Sequence, residues 1–303
     1  MKKLRKPYAL LFFLLIYVIA FLAGYFASKA LVGISSPYWL FALIMDVVAT
    51  LIVWAVGLAI RNPSIYDPYW SVVPPVLILF WIFHYSFTFS LWSGIMFLSV
   101  LLWSIRLTYN FIINFDGFVY QDWRYVMLKE KNPKIWFVTN LFGINMMPTL
   151  IVLIQLFAAY QILISNQSPS LLFLLGSLVS ILAATIQFIS DKQMREFRTE
   201  HEKKKQVMSD GLWSVSRHPN YFGEVSFWWG LWIMYFGAYQ RLDLFFIPPV
   251  LMTLLFVFIS VPMMENKILI SRPEYKDVQA KISMLIPWPQ RKYNKDDNEE
   301  ITG

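Results

Sequence analysis

The sequence predicts an all-α protein built into a membrane, a polytopic integral membrane helix bundle of about eight transmembrane helices, with seven as the alternative count. Three observations carry that expectation. Hydrophobic residues make up 57% of the 303 and charged residues only 15%, against about 25% charge in soluble globular chains. The apolar residues are gathered into runs close to the ~20 residues that a helix needs to cross the hydrocarbon core. Aromatic residues reach 18%, with 13 Trp and 16 Tyr, the types that seat helix ends at headgroup level.

The first run, Tyr8 to Ala27, follows Lys2, Lys3, Arg5 and Lys6. It is too long for the core of a signal peptide and reads as a retained span. Further runs fall at 38–60, 70–89, 91–112, 141–164, 170–190, 219–239 and 244–264. The connections after the first, third, fifth and seventh runs contain only Lys29 and Arg241 as basic residues. The opposite connections hold Arg61, Arg124, Lys129, Lys131, Lys134, Arg195, Arg198, Lys203, Lys204, Lys205 and Arg217. By the positive-inside rule both termini are cytoplasmic. The net charge of +7 is then a topology signal with some attraction to anionic lipid, and no nucleic-acid partner is expected. Residues 1–290 read as one membrane-embedded domain. The polar tail, 291–303 with its NKDDNEE run, reads as disordered.

Composition also excludes chemistry. With no cysteine and three histidines far apart, disulfides, thiolate nucleophiles and Cys-ligated metal are impossible, and no metal site is expected. No GxGxxG or Walker loop occurs, so a nucleotide would be bound without a Rossmann domain or P-loop. Two long polar segments, 113–140 and 191–218, are where a water-soluble ligand would be held. At the head of the second, QFISDKQMREFR sets Gln187, Asp191, Arg195 and Arg198 on one helix face. That face is either a solvated helix end or a polar wall for an anionic cofactor, its arginines supplying planar, permanently charged forks.

In SRHPNYFGE, Pro219 suits the first turn of a helix. Arg217 and His218 therefore stand just before a helix N-terminus, as interface anchors or as an anion site suited to phosphate. Asn220 and Glu224 lie at i,i+4 and share a face, where an amide and a carboxylate can read the edge of a heterocycle or carboxamide. Gly223, Gly230 and Gly237 predict a stripe of close helix packing. In the N-terminal half, Asp67 sits at a membrane boundary and is a candidate partner for Arg106, since charges at membrane depth face a partner or a cavity. QDWRY adds Asp122, Arg124 and Tyr125, while Asp46 has no assigned partner. Glu265, Arg272 and Tyr275 fall on the same side of the membrane, on a helix end and amphipathic tail.

Six segments together resemble a known family. NPSxxDxxW (Asn62 to Trp70), WxxRL (Trp103 to Leu107), DxRY (Asp122 to Tyr125), SDxQxxxFR (Ser190 to Arg198), SRHPNYFGE (Ser216 to Glu224) and E…RPEY…PW (Glu265 to Trp288) are similar to a bacterial branch of the steroid 5α-reductase superfamily. The resemblance spans roughly 55–290 and extends distantly to isoprenylcysteine carboxyl methyltransferases. It implies a multi-pass protein of the bacterial inner membrane that uses NADPH, from the cytoplasmic side, to reduce a C=C bond in a hydrophobic steroid-like or isoprenoid-like lipid. It further implies that Asp191, Arg195, Arg198, Arg217, His218, Asn220, Tyr221 and Glu224 line the cofactor. Asp67, Trp70, Arg106, Asp122, Arg124, Tyr125 and Glu265 would then shape a substrate or structural pocket. The Glu and Tyr with which steroid reductases polarise the enone carbonyl have no match here, which leaves Tyr66, Tyr69 and Tyr109 as candidate proton donors and no assigned catalytic residue. A SAM-dependent methyltransferase of a lipid-like acceptor and a non-enzymatic lipid-binding protein are the competing classes.

Overall fold

A computed structural model describes residues 6–87, 89–165, 170–200 and 206–292. Of the described residues 81% are helical, and none lies in a strand. His201, Lys203 to Lys205 and the tail from 293 onward lie outside the described residues.

Seven helical stretches among the described residues are long and apolar enough to cross a membrane: Lys6–Leu31, Tyr38–Ala59, Pro63–His84, Leu91–Asn114, Pro133–Ile164, Leu171–Glu200 and Leu244–Ser271. By length and apolarity the described residues thus supply seven of the eight expected spans. The eighth expected span is present as a continuous helix of 21 residues, Pro219–Tyr239, but is not among those seven. Its Asn220, Glu224, four glycine and alanine positions and aromatic tips dilute the aliphatic content that the others carry.

The helices used below are α1 (Lys6–Leu31), α2 (Tyr38–Ala59), α3 (Tyr69–His84), α4 (Leu91–Asn114), α5 (Trp123–Lys131), α6 (Met147–Ile164), α7 (Leu171–Glu200), α8 (Pro219–Tyr239), α9 (Ile247–Leu255), α10 (Val261–Ser271) and α11 (Tyr275–Lys281). At 30 residues, α7 is roughly 45 Å long. It crosses the apolar layer and carries the QFISDKQMREFR face onward as helix. Two spans contain π-helical segments, Thr139–Met146 before α6 and Phe256–Ser260 before α10. Each is followed by a proline, Pro148 and Pro262. A proline lacks the N–H for an i→i−4 bond and crowds that carbonyl, and widening the preceding turn relieves both conflicts.

The chain divides into two compact units, Met1–Ser177 with Leu231–Pro248, and Leu178–Gly230 with Pro249–Gly303. In the first, α1 lies against α2 where Gly24 meets the Met45 carbonyl, too close for any side chain, and Ser28 Oγ donates to the Phe41 carbonyl at 3.0 Å. On its other side α1 exposes Leu11, Leu15, Val18, Leu22 and Phe26, a lipid-facing stripe. Polar contacts tie the inner faces. Tyr69 Oη donates to Asp46 at 2.9 Å, Tyr66 Oη meets Thr149 Oγ1 at 2.8 Å, and Thr149 in turn meets Thr50 at 3.1 Å. Without water as competitor, such bonds help hold apolar helices together. In the second unit α8 packs on α7, where Gly223 touches the Gln187 side chain and the Ala183 carbonyl.

Candidate functional site

The second unit contains two polar clusters at the start of α8. The turn entering that helix is built by Ser216, whose Oγ accepts from the His218 N–H at 3.2 Å and donates to the Leu285 carbonyl at 2.7 Å. The segment after α11 runs alongside: Arg217 N–H donates to Ser283 O at 2.8 Å and Trp288 N–H to Val215 O at 2.9 Å. The RHP tripeptide is thus clamped by residues some 70 positions later.

The first cluster centres on Glu265, at 7% exposure. Its carboxylate accepts from Arg217 Nε at 2.7 Å, Gln279 Nε2 at 2.7 Å and Tyr275 Oη at 3.2 Å, and it faces His218 Nε2 at 3.0 Å. Arg217 spends its remaining reach on the backbone, with Nη1 donating to Gln279 O at 2.8 Å and Ile282 O at 3.2 Å. Burial, and after it the Glu265 charge, push the Tyr275 phenol above its ordinary value, so Tyr275 stays a donor. The Tyr221 ring stacks on His218 at 5.3 Å. Arg217 and His218, expected at a cofactor phosphate, are here the counterparts of Glu265, which the sequence placed with the substrate pocket.

The second cluster centres on Glu224, one turn beyond Asn220 on α8 and at 4% exposure. Its Oε2 accepts from Gln187 Nε2 at 2.5 Å and its Oε1 from Trp228 Nε1 at 2.9 Å. Gln187 Nε2 also reaches the Asn220 carbonyl at 3.4 Å. Two side-chain oxygens of these residues, Gln187 Oε1 and Asn220 Oδ1, are buried and have no hydrogen-bond partner among the described residues. A buried amide oxygen left unsatisfied costs about 1–3 kcal/mol, and native structures tolerate few of them. The described residues leave the accepting capacity of both unused. One and two turns along α7 from Gln187 stand Asp191, buried, and Arg195, half-buried, with Arg198 exposed beyond them.

The expected residues of the N-terminal half gather in the first unit. Asn62 caps the turn of Pro63–Ile65 by accepting from Ser64 N–H at 3.0 Å and donates to the Tyr120 carbonyl at 2.8 Å. Ser64 Oγ accepts from Asp122 N–H at 2.9 Å. Asp122 caps α5 and grips Arg124 with both oxygens at 2.9 Å. Tyr125 Oη donates to Asp67, and burial followed by the Asp67 charge pushes that phenol upward. Trp70 meets Trp103 edge-on at 5.7 Å, one turn from buried Arg106. Asp67 is held by Tyr125, and the ion pairs found among the described residues do not include Asp67 with Arg106. NPSxxDxxW and DxRY are two halves of one latch.

Sequence reasoning passed over Trp228, Gln279 and the partner of Asp46. Trp228 stands at i+4 from Glu224, a spacing that could have flagged it. Among the described residues no group of His, Asp and Glu suits a metal ion.

A family model matches residues 53–282, and the chain belongs to that family, described as protein of unknown function DUF1295. The family lies within the steroid 5α-reductase-like superfamily. No curated protein and no solved structure matches the chain.

Proposed function

We propose that this protein is a membrane-embedded reductase that uses NADPH to saturate a C=C bond in a hydrophobic lipid of steroid-like or isoprenoid-like shape. The observation that carries the reading is two partnerless oxygens, Gln187 Oε1, on the amide that donates to Glu224, and Asn220 Oδ1, one turn before Glu224 on α8. A nicotinamide carboxamide bears the N–H₂ group that such a pair lacks. Asp191, Arg195 and Arg198, along the same face of α7, have the charge and spacing to hold ribose and phosphates. When bound, the cofactor supplies a hydride, and the protein supplies orientation and exclusion of water. Arg217 and His218 act in this reading as positioning residues, fixing the start of α8 through Glu265 so that Asn220 and Glu224 keep their register.

Membership of the superfamily supports the reductase class, and the basic-residue asymmetry supports a cytoplasmic face for this site. That asymmetry needs α8 to cross as an eighth span, with both termini in the cytoplasm of a bacterial inner membrane. A reporter fused after Arg241 should then read outside and one after Lys204 inside; an inside reading after Arg241 would remove α8 from the membrane crossings. The cofactor assignment is tested by thermal unfolding of the detergent-solubilised protein with NADPH, NADH and SAM in turn. Stabilisation by NADPH above NADH is expected, and stabilisation by SAM alone would replace the reductase with a methyltransferase. A protein that responds to none of the three would instead be a lipid-binding protein without a cofactor.

A further inference from the structure

The first unit holds a cavity of about 220 Å³ whose lining includes Arg61, Gln121, Lys129, Trp136 and Asn140. It lies where α2 ends and the Pro133–Ile164 span begins. Every one of these five side chains offers N–H groups, and no carboxylate is among the lining residues. Neither Arg61 nor Lys129 has an ion-pair partner among the described residues.

Two details mark the cavity as built for a ligand. Asn140, at 2% exposure, accepts from Asn145 Nδ2 through both its backbone oxygen at 2.7 Å and its side-chain Oδ1 at 3.0 Å. Its oxygen is committed, so the amide N–H₂ is the group left over, and it has no acceptor among the described residues. Arg61 supplies the second detail. The end of α2 closes with Asn62 N–H on Gly57 O at 2.9 Å and Arg61 N–H on Leu58 O at 3.1 Å, the paired bonds of a Schellman cap. The position between them is left-handed and usually glycine, yet Arg61 occupies it at φ 55°. Glycine would avoid that conformational cost, and what Arg61 adds in its place is a guanidinium at the cavity.

We propose that this cavity binds a phosphate group, the chemistry shared by an anionic phospholipid headgroup and free phosphate. Arg61 and Lys129 would neutralise it, and Asn140, Gln121 and Trp136 would donate to its oxygens. Basic pockets at the membrane surface are suited to such headgroups. Ile135, Phe137 and Val138, all more than half exposed, offer an apolar flank on the same span for acyl chains. The proposal is independent of the reductase reading.

The test uses the full-length protein in neutral detergent, with thermal unfolding followed as phosphatidylglycerol, phosphatidylcholine, sodium phosphate or sodium chloride is added at matched ionic strength. Phosphatidylglycerol should raise the midpoint above phosphatidylcholine. Arg61→Gly and Lys129→Gln should each weaken the apparent affinity about tenfold, as expected for loss of one charge-assisted contact. Arg61→Gly carries a built-in control, because glycine suits the left-handed position and should leave the ligand-free midpoint unchanged or higher. A response that sodium phosphate reproduces assigns the site to a soluble anion, and one confined to phosphatidylglycerol assigns it to lipid; both support the site when the variants abolish them. Equal midpoints in all four additives, or responses undiminished in both variants, would overturn it.

Discussion

Glu265 and Glu224 are both buried carboxylates of the second unit, one facing the residues just before α8 and the other in its second turn, yet their surroundings differ in kind. Glu265 is closed. It meets a guanidinium, an imidazole, a phenol and an amide, and the guanidinium that holds it is itself used on two backbone carbonyls. Glu224 is bonded to an amide and an indole, and two amide oxygens, on Gln187 and on Asn220 one turn before it, have no donor among the described residues. A closed cluster stabilises a fold, because every buried polar group there recovers its lost hydration. An open one costs stability until something else fills it. On the proposed function, the RHP turn serves architecture and the turn that follows serves the ligand.

The comparison can be broken by substitution, and the largest effect should fall on the closed side. Arg217→Ala leaves Glu265 buried without its guanidinium, which costs about 3–5 kcal/mol for a broken buried pair. It should appear as a sharp fall in unfolding midpoint or in the yield of folded protein. Loss of NADPH response with an unchanged midpoint would instead make Arg217 a ligand residue. Glu224→Gln should cost less, about 1.5–3 kcal/mol, for one charged acceptor replaced by an amide. Its loss of cofactor response should exceed what that destabilisation explains, and an unaltered response would detach Glu224 from the site. Gly223→Ala sharpens the geometry. An added Cβ meets the Gln187 side chain and the Ala183 carbonyl, so overpacking of about 1–3 kcal/mol is expected. Since Gln187 is the group displaced, cofactor affinity should fall with it, and stability measured beside titration checks both.

The helices were legible in the sequence because apolar runs of span length have few other uses, and Pro148 and Pro262 show why two of those runs widen into π-helix. The polar face of α7 was legible from its spacing. The pairings were not. Arg217 and Glu265 are 48 residues apart, and Asp46 and Tyr69 are 23 apart; no periodicity links such positions, since only the packing of separate helices brings them together. Arg217 and His218 before a proline are equally suited to a phosphate and to a carboxylate, and the choice depends on what the distant C-terminal segment contributes. Arg61 at a left-handed cap was hidden for the opposite reason, because the residue that normally announces such a cap is glycine.

Asn220→Ala tests the central claim most directly. Removing a buried oxygen that has no partner should leave the ligand-free protein as stable as wild type or slightly more so, because an unsatisfied group disappears. If that oxygen waits for the cofactor, the same variant should lose most of the stabilisation that NADPH confers. Unfolding midpoints of wild type and Asn220→Ala, each with and without NADPH, decide the matter. An unchanged or raised midpoint with the NADPH response gone is the result this account predicts, whereas a full response to NADPH, or a collapse on the scale of Arg217→Ala, would contradict it.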